Sequence, residues 1–504
     1  MEDKEKSLEM KLEKELKSLD ADMPVQPTPL IQRVTNILKD NPDFQRYFKP
    51  ICVAFGPLHH DDSPNSKLQR GEKKKLQMAA KYIEYSGTTK EVFYSNVMAE
   101  LNSLKECYEY DSKQIGTWSD EYLAWMFLVD GCAVLFFIDH VATKNLKALG
   151  GKDDLLTYLK LDLFLLENQL PYRLLQILMS SCYRVPRNPP LVEKYKNEYP
   201  PAEVFEASIT KFINKNVIFM KKDATGQLPQ PQQHSKILND QTHQQQQQRL
   251  QQQLEIMVDQ TQHHQQQQNR ERDPAHLLEL LWRRMTKSEK DKESDGTMSK
   301  GISSNGNPGG KNRLYWSKFR NVKELKEKGI SLEVSKSSSV RDISFQEYFF
   351  MATLSLRSIT VDDFTVPKLM NLIAYEMCPD FENKLEITSY VSFLDSFIDQ
   401  NEDVKELRHA GVLHHGLGSD EAVALLFNEI RKNLVPNPKL HSKLKKRIQR
   451  HCHTSVSTYA SQLYHTYFSS PWSILALLGA LLGLVLTAVQ TFQNPPTPAP
   501  GPSH

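Results

Sequence analysis

The sequence predicts a mainly α protein: a large helical domain with a minor β-sheet, a disordered Gln-rich insertion and a C-terminal transmembrane helix. Three observations carry that expectation. Apolar blocks of helical length recur through residues 121–178 and 366–433. Residues 221–312 exchange apolar side chains for Gln, His, Lys, Ser, Asn and Gly, and such a tract buries too little surface to offset the entropy of ordering. No Asp, Glu, Lys or Arg follows Arg450, and an aliphatic run begins some twenty residues later.

Composition narrows the function. The 504 residues suggest about three domains. With 63 Lys and Arg against 61 Asp and Glu, the net charge is only +2. That balance speaks against a protein devoted to a nucleic-acid backbone, and no nucleic-acid partner is expected. At 39% hydrophobic the chain is also too apolar to be disordered throughout.

In chain order, residues 1–29 form a charged segment in which Leu8, Leu12, Leu16 and Leu19 recur at helical spacing. The segment lacks the apolar core of a signal peptide. The first part of the folded body, 30–220, opens with a β-like piece at 51–55. His59, His60, Asp61 and Asp62 make the most metal-like cluster. Four adjacent side chains do not converge on one ion, so they read as a polar turn after Gly56 and Pro57, and no metal is expected. Residues 121–138, EYLAWMFLVDGCAVLFFI, are nearly continuous apolar sequence. Asp130 and Gly131 interrupt the middle, and an Asp at a bilayer centre costs ~2.5–3.5 kcal/mol. A buried core helix with Asp130 hydrogen-bonded is therefore expected. Residues 162–178 make a second core block, which Pro171 divides into two helical pieces or kinks.

Within 221–312, Gln runs stand at 244–248, 251–253 and 265–268. They read as an expanded surface loop or as a partner-binding segment. Residues 275–282 form a short amphipathic helix candidate between two polar tracts. The second part of the body, 313–453, carries β-like pieces at 330–334, 343–345 and 349–356. Helix candidates follow at 366–377 and 387–399, then a turn-and-cap region at 403–410 and a helix at 419–433. Ser419, Asp420 and Glu421 supply the N-terminal caps and acids of that last helix.

A juxtamembrane segment, 454–470, leads to the expected span at 471–492, since about 20 helical residues cross the ~30 Å hydrocarbon layer. Its anchor residues are Pro471, Trp472, Ile474, Leu475, Leu478, Gly479, Leu482, Gly483, Val485, Leu486 and Val489. A Pro-rich tail, 493–504, ends the sequence. Lys439, Lys443, Lys445, Lys446, Arg447 and Arg450 precede the span and nothing charged follows it, which places the bulk of the chain on the cytosolic side of a plasma or internal membrane. Membrane lipid is thus one expected partner, and unidentified proteins are others. The Gly479 and Gly483 spacing allows two such helices to pair as a homodimer.

Motifs for chemistry are missing. Gly309, Gly310 and Lys311 lack the earlier Gly and the following Ser or Thr of a phosphate loop, and no G-x-S-x-G or HExxH occurs. The six cysteines form no CxxC pair and read as buried thiols. No catalytic residue and no cofactor is expected. A membrane-tethered enzyme is the alternative, and it would use carboxylates set in apolar blocks, such as Asp130 or Glu167.

Taken together these blocks resemble the plant domain-of-unknown-function-247 family, also called UPF0481. The resemblance rests on Tyr47-Phe48-Lys49-Pro50, then Phe55-Gly56-Pro57-Leu58-His59-His60, and Val129-Asp130-Gly131-Cys132. It continues through residues 162–171, which contain Glu167-Asn168-Gln169-Leu170-Pro171, then residues 324–330, Asn371 to Glu376, and Leu417-Gly418-Ser419-Asp420-Glu421. Thr35 after Val34, Phe55 and Leu58 depart from the family pattern. The resemblance implies a plant membrane protein without an established enzymatic activity. In grasses, members at self-incompatibility loci are candidate male determinants of pollen–stigma self-recognition. The implied role is protein–protein interaction in signalling or self-recognition.

Overall fold

The computed structural model describes residues 31–60, 66–108, 118–150, 153–183, 201–220, 273–287, 321–337, 339–348, 351–379, 381, 385–432, 434–453 and 471–493. The expected N-terminal helix, the Gln runs, the juxtamembrane segment and the Pro-rich tail lie outside them. The fold is mainly helical with a small sheet. It divides into two units, neither of which follows the simple order of the chain. The first comprises Met1–Lys292, Ser338–Val340 and Thr360–Thr388, and the second Glu293–Ser337, Arg341–Ile359 and Ser389–His504.

The first unit is built around one helix, Asp120–Ala142. Ser119 caps it by accepting the Tyr122 amide at 3.3 Å, and Asp120 and Glu121 lie in its first turn. Helices Ser66–Ser86, Lys90–Ala99, Tyr172–Ser180 and Pro201–Asn216 pack against it. From Met126 onward the ring of helices leaves it almost no solvent face, which is why that part of its sequence reads apolar all round. Among the described residues it is the one helix long and apolar enough to cross a membrane, and 78% of its apolar window is buried in the fold. The core-helix expectation holds, and Asp130 is hydrogen-bonded as anticipated.

Two expectations need correction in this unit. Residues 51–55 form no strand, bending at Ile51 and Cys52, because side chains rather than a neighbouring strand take their amides. Pro171 does precede a helix, Tyr172–Ser180, but the chain before it is not one helical piece. Helix Asp153–Asp162 ends there, a single 3-10 turn occupies Leu166–Asn168, and Gln169 to Pro171 are extended. The local side chains explain this. Asn168 Nδ2 donates to the Asp162 carbonyl at 2.8 Å, and Gln169 Nε2 donates to the Leu163 and Leu165 carbonyls at 2.8 Å each. Those bonds compete with a helical ladder and win. The short helix expected within 221–312 is present. Helix Leu277–Thr286 buries Leu278, Leu281 and Met285 and extends the expected short helix by one turn.

The second unit holds helix Val322–Glu327 and a three-stranded sheet in the order Ile330–Val334, Met351–Leu356, Ser344–Tyr348. The first pair is parallel, with Ile330 opposite Ala352, and the second antiparallel, with Phe345 opposite Leu354. In Ile330–Val334 burial alternates residue by residue, as a half-covered strand requires. The expected turn-and-cap region is instead helix Asn401–His409. Asp403 is indeed a cap, accepting the amides of Asp399 and Gln400 at 3.0 and 3.1 Å. The expected 419–433 helix appears as Asp420–Lys432, and Ser419 Oγ accepts the Ala422 amide at 3.1 Å.

The last described helix is Pro471–Gln493, whose apolar stretch, Leu478–Gln490, is shorter than a full span. Leu478, Leu482, Leu484 and Val485 are each at least half exposed, and no atom lies within 4 Å of a Cβ built on Gly479 or Gly483.

Candidate functional site

Most polar residues singled out in the first half of the sequence converge on one task in the first unit. They hold a stretch without regular structure, residues 48–60, against the helices. Asp162, at the end of its helix, accepts the amides of Ile51, Cys52 and Val53 at 2.9, 2.7 and 2.8 Å. Burial drives its pKa up to about 6 against the opposing pull of those three amides. Burial, with Asp162 and Glu72 nearby, likewise pushes the Cys52 thiol up to about 12. Asn168 Oδ1 takes the Phe55 amide at 2.7 Å, while its Nδ2 donates to the Val53 carbonyl at 3.1 Å.

Asp130 takes the next amide, that of Gly56, at 2.7 Å and pairs with Lys75 at 2.8 Å. Lys75 also reaches Glu72 and the Ala54 carbonyl, both at 2.8 Å. Gly56 sits at φ +67°, and a Cβ there would meet the Tyr108 hydroxyl at 2.8 Å and the Gln169 carbonyl at 3.1 Å. Only glycine fits.

Glu167 closes the network. Its carboxylate accepts from the Val34 amide and from Lys39 Nζ, both at 2.9 Å, and lies 3.3 Å from His59 Nε2. Burial alone would raise its pKa, but His59 and Lys39 outweigh burial and hold it at about 2. Two amides extend the clamp to helices far along the chain. Gln169 Oε1 accepts the Leu278 amide at 3.0 Å. Asn371, on helix Thr365–Glu376, accepts the Leu166 amide and donates to the Tyr47 and Pro367 carbonyls, each at 2.8 Å. Five residues later Glu376 makes a second knot. It accepts Trp282 Nε1 at 2.7 Å, the amides of Ile387 and Thr388 at 2.9 and 2.8 Å, and the Thr388 hydroxyl at 2.7 Å.

The remaining predicted residues fall elsewhere. Pro57 is buried, Pro171 caps the Tyr172–Ser180 helix, and Gly131 faces Leu178 and Leu174. His59 and His60 diverge: His59 points to Glu167, while His60 Nε2 meets the exposed Tyr122 hydroxyl at 2.7 Å. Asp61 and Asp62 lie outside the described residues. Gly418, Ser419 and Asp420 belong to the second unit, where Asp420 accepts from His415 at 2.6 Å and Arg408 at 2.8 Å. All six cysteines are free thiols, five of them buried. Sequence reading missed Asp162, Lys75, Lys39 and Trp282. Asp162 had a signal, since D, E, N and Q stand among aliphatics in DLFLLENQLP. Lys75 had none, being one of three consecutive lysines.

Chemically the arrangement is a clamp. Asp130, Asp162, Glu167 and Glu376 direct their oxygens at fixed amides, lysines or an indole of the fold itself. A buried carboxylate so engaged orders backbone.

Comparison with known proteins places these motifs. A family model described as a plant protein of unknown function, domain of unknown function 247, matches residues 31–486. The chain belongs to this family. It is similar to the UPF0481 protein At3g47200 of Arabidopsis thaliana, 21% identical over 468 residues, covering 88% of this chain and 82% of that one. It is also similar to the putative UPF0481 protein At3g02645 of the same plant, 27% identical over 172 residues. That match spans 34% of this chain and only 32% of the relative. No solved structure matches significantly.

The clamp carries an acid signature. The folded pKa of Glu167, about 2, lies below its ordinary 4.5. Its stabilisation is therefore present above pH 4.5 and lost as pH falls towards 2. The difference in unfolding free energy between the unmodified chain and Glu167→Gln should be flat above pH 5 and shrink by about 3 kcal/mol on acidification. Urea titrations across that range measure it, and a difference independent of pH would refute the assignment.

Proposed function

We propose that the chain is a non-enzymatic, membrane-anchored protein acting through protein–protein contact, with helix Pro471–Gln493 in the bilayer. One observation carries the reading. This 23-residue helix has no charged side chain, and its described Leu and Val side chains stand exposed, Leu484 to 68%. Aliphatic surface left uncovered over such a length favours hydrocarbon over water. The basic residues on its N-terminal side favour a cytosolic body. The engagement of Asp130 and Glu167 by the fold supports the non-enzymatic part. Part-exposed aromatic side chains support the contact part: Trp125, 40% exposed, stacks on the half-buried Tyr94 at 4.7 Å, and the half-buried Trp118 stands edge-on to His60 at 5.2 Å. Signalling, with pollen–stigma self-recognition as one form, is the role such a protein would serve.

Alkaline carbonate treatment of membranes holding the full chain tests the anchor. The chain should stay with lipid, and Leu478→Asp with Val485→Asp should release it. Release of the unmodified chain would end the reading.

A further inference from the structure

We infer that the outer face of helix Ser442–His453 is a docking surface for anionic phospholipid headgroups, holding the second unit flat on the bilayer. The inference deepens the proposed anchoring and rests on it.

The helix has two unlike sides. On the inner side Ile448, His451 and Cys452 are buried, and the helix packs on strand Ser344–Tyr348. His451 meets Phe345 edge-on at 5.9 Å, and Arg447 lies 5.5 Å over the same ring while pairing with Glu347 at 2.9 Å. Lys445 lies 5.6 Å over Phe393. These contacts fix the helix about its axis, so its outer side is a defined surface. Lys443, Lys446 and Arg450 are exposed there at positions i, i+3 and i+7, which form one stripe. Lys439, in the preceding turn, is exposed too. Residues 434–453 contain six Lys and Arg and no Asp or Glu. Two aliphatic side chains accompany the charges, Val435 at 66% exposed and Leu440 at 39%.

Basic side chains with interspersed aliphatics fit the boundary between headgroups and acyl chains. A nucleic-acid surface would share the charge, but the apolar helix begins 18 residues after His453. Even fully extended, that linkage spans about 60 Å, so the basic stripe stays near whatever surface the apolar helix enters. Attraction to that surface decays over ~8 Å, so the exposed face must meet it directly. Of the two polyanions, lipid is the one the chain brings within reach.

The test uses the full chain carrying Leu478→Asp and Val485→Asp, which removes insertion and leaves the basic face intact. Its flotation is measured with phosphatidylcholine vesicles and with vesicles holding about 30% phosphatidylserine, the anionic lipid class of cytoplasmic leaflets. Binding should rise at least about tenfold with phosphatidylserine and vanish in high salt. Adding Lys439→Glu, Lys443→Glu and Lys446→Glu should return binding to the neutral-vesicle level with an unchanged urea midpoint. Equal binding to both vesicles, or no effect of the three reversals, overturns the inference, as does tighter binding to an RNA oligonucleotide. Carbonate resistance of the unmodified chain reads the anchor separately. An integral chain without phosphatidylserine dependence would sink this surface alone.

Discussion

Asp162→Ala should unfold the first unit or leave it barely folded at neutral pH. The carboxylate accepts three consecutive amides, from Ile51, Cys52 and Val53, at 2.7 to 2.9 Å. Removing it leaves the Cys52 and Val53 amides unpaired in a buried stretch, each at a cost of ~1–3 kcal/mol, and frees the part-buried Ile51 amide beside them. The total, about 2–6 kcal/mol, takes much of the ~5–15 kcal/mol that holds a domain together. Asp162→Asn should be milder, since its carbonyl oxygen still accepts while its NH2 opposes a donor. The acid itself has an opposite pH signature to Glu167. Its folded pKa, about 6, exceeds its ordinary 3.8, so the folded state gains stability as pH falls from 6 to 3.8. Urea midpoints of the three proteins, followed by proteolysis within residues 48–60, check the ranking. Equal stability of the Ala variant and the unmodified chain would mean that Asp162 clamps nothing.

Gly71→Ala should destabilise by about 3 kcal/mol or more, against the direction of helix propensity. Gly71 lies inside helix Ser66–Ser86, where Ala is normally better by ~1 kcal/mol. Here a Cβ would stand 1.8 Å from the Cys52 carbonyl oxygen and 2.7 Å from Val53 Cγ2. The obstacle is backbone, and Asp162 pins that backbone on both residues. The helix cannot retreat either, because Met78, Ala79 and Tyr82 are buried on the side it shares with Asp120–Ala142. The two sites must therefore couple. In an Asp162→Asn background, where the 51–53 backbone is looser, Gly71→Ala should cost less, by at least ~0.5 kcal/mol. Additive effects in the double-mutant cycle would show that the contact relaxes without the clamp.

The clamp was half legible. Gly56, Asp130, Glu167, Asn168, Gln169, Asn371 and Glu376 all belong to it or to the neighbouring knot at Trp282, and each appeared in the sequence as a polar or turn residue beside apolar ones. Their partners did not. Glu167 meets Lys39 from 128 positions away, and Asn371 reaches Tyr47 across 324. Spacing carries no information at such separations.

What the sequence determined by itself was periodic and local. Strand Ile330–Val334 and helix Asp420–Lys432 follow from patterns that repeat within a few residues and from caps adjacent to them. The same logic shows that Asp120–Ala142 is helical and apolar. Asp130 and Gly131 in its middle already pointed to protein rather than lipid around it, and the tertiary structure decided which four helices pack there. Only the tertiary structure turned residues 51–55 from a strand into a clamped irregular segment, and placed a carbonyl where Gly71 has no side chain. The reason is physical. A backbone amide satisfied by a distant carboxylate has the same local conformational preferences as one satisfied by a neighbouring strand, so the choice lies in the partner and not in the segment.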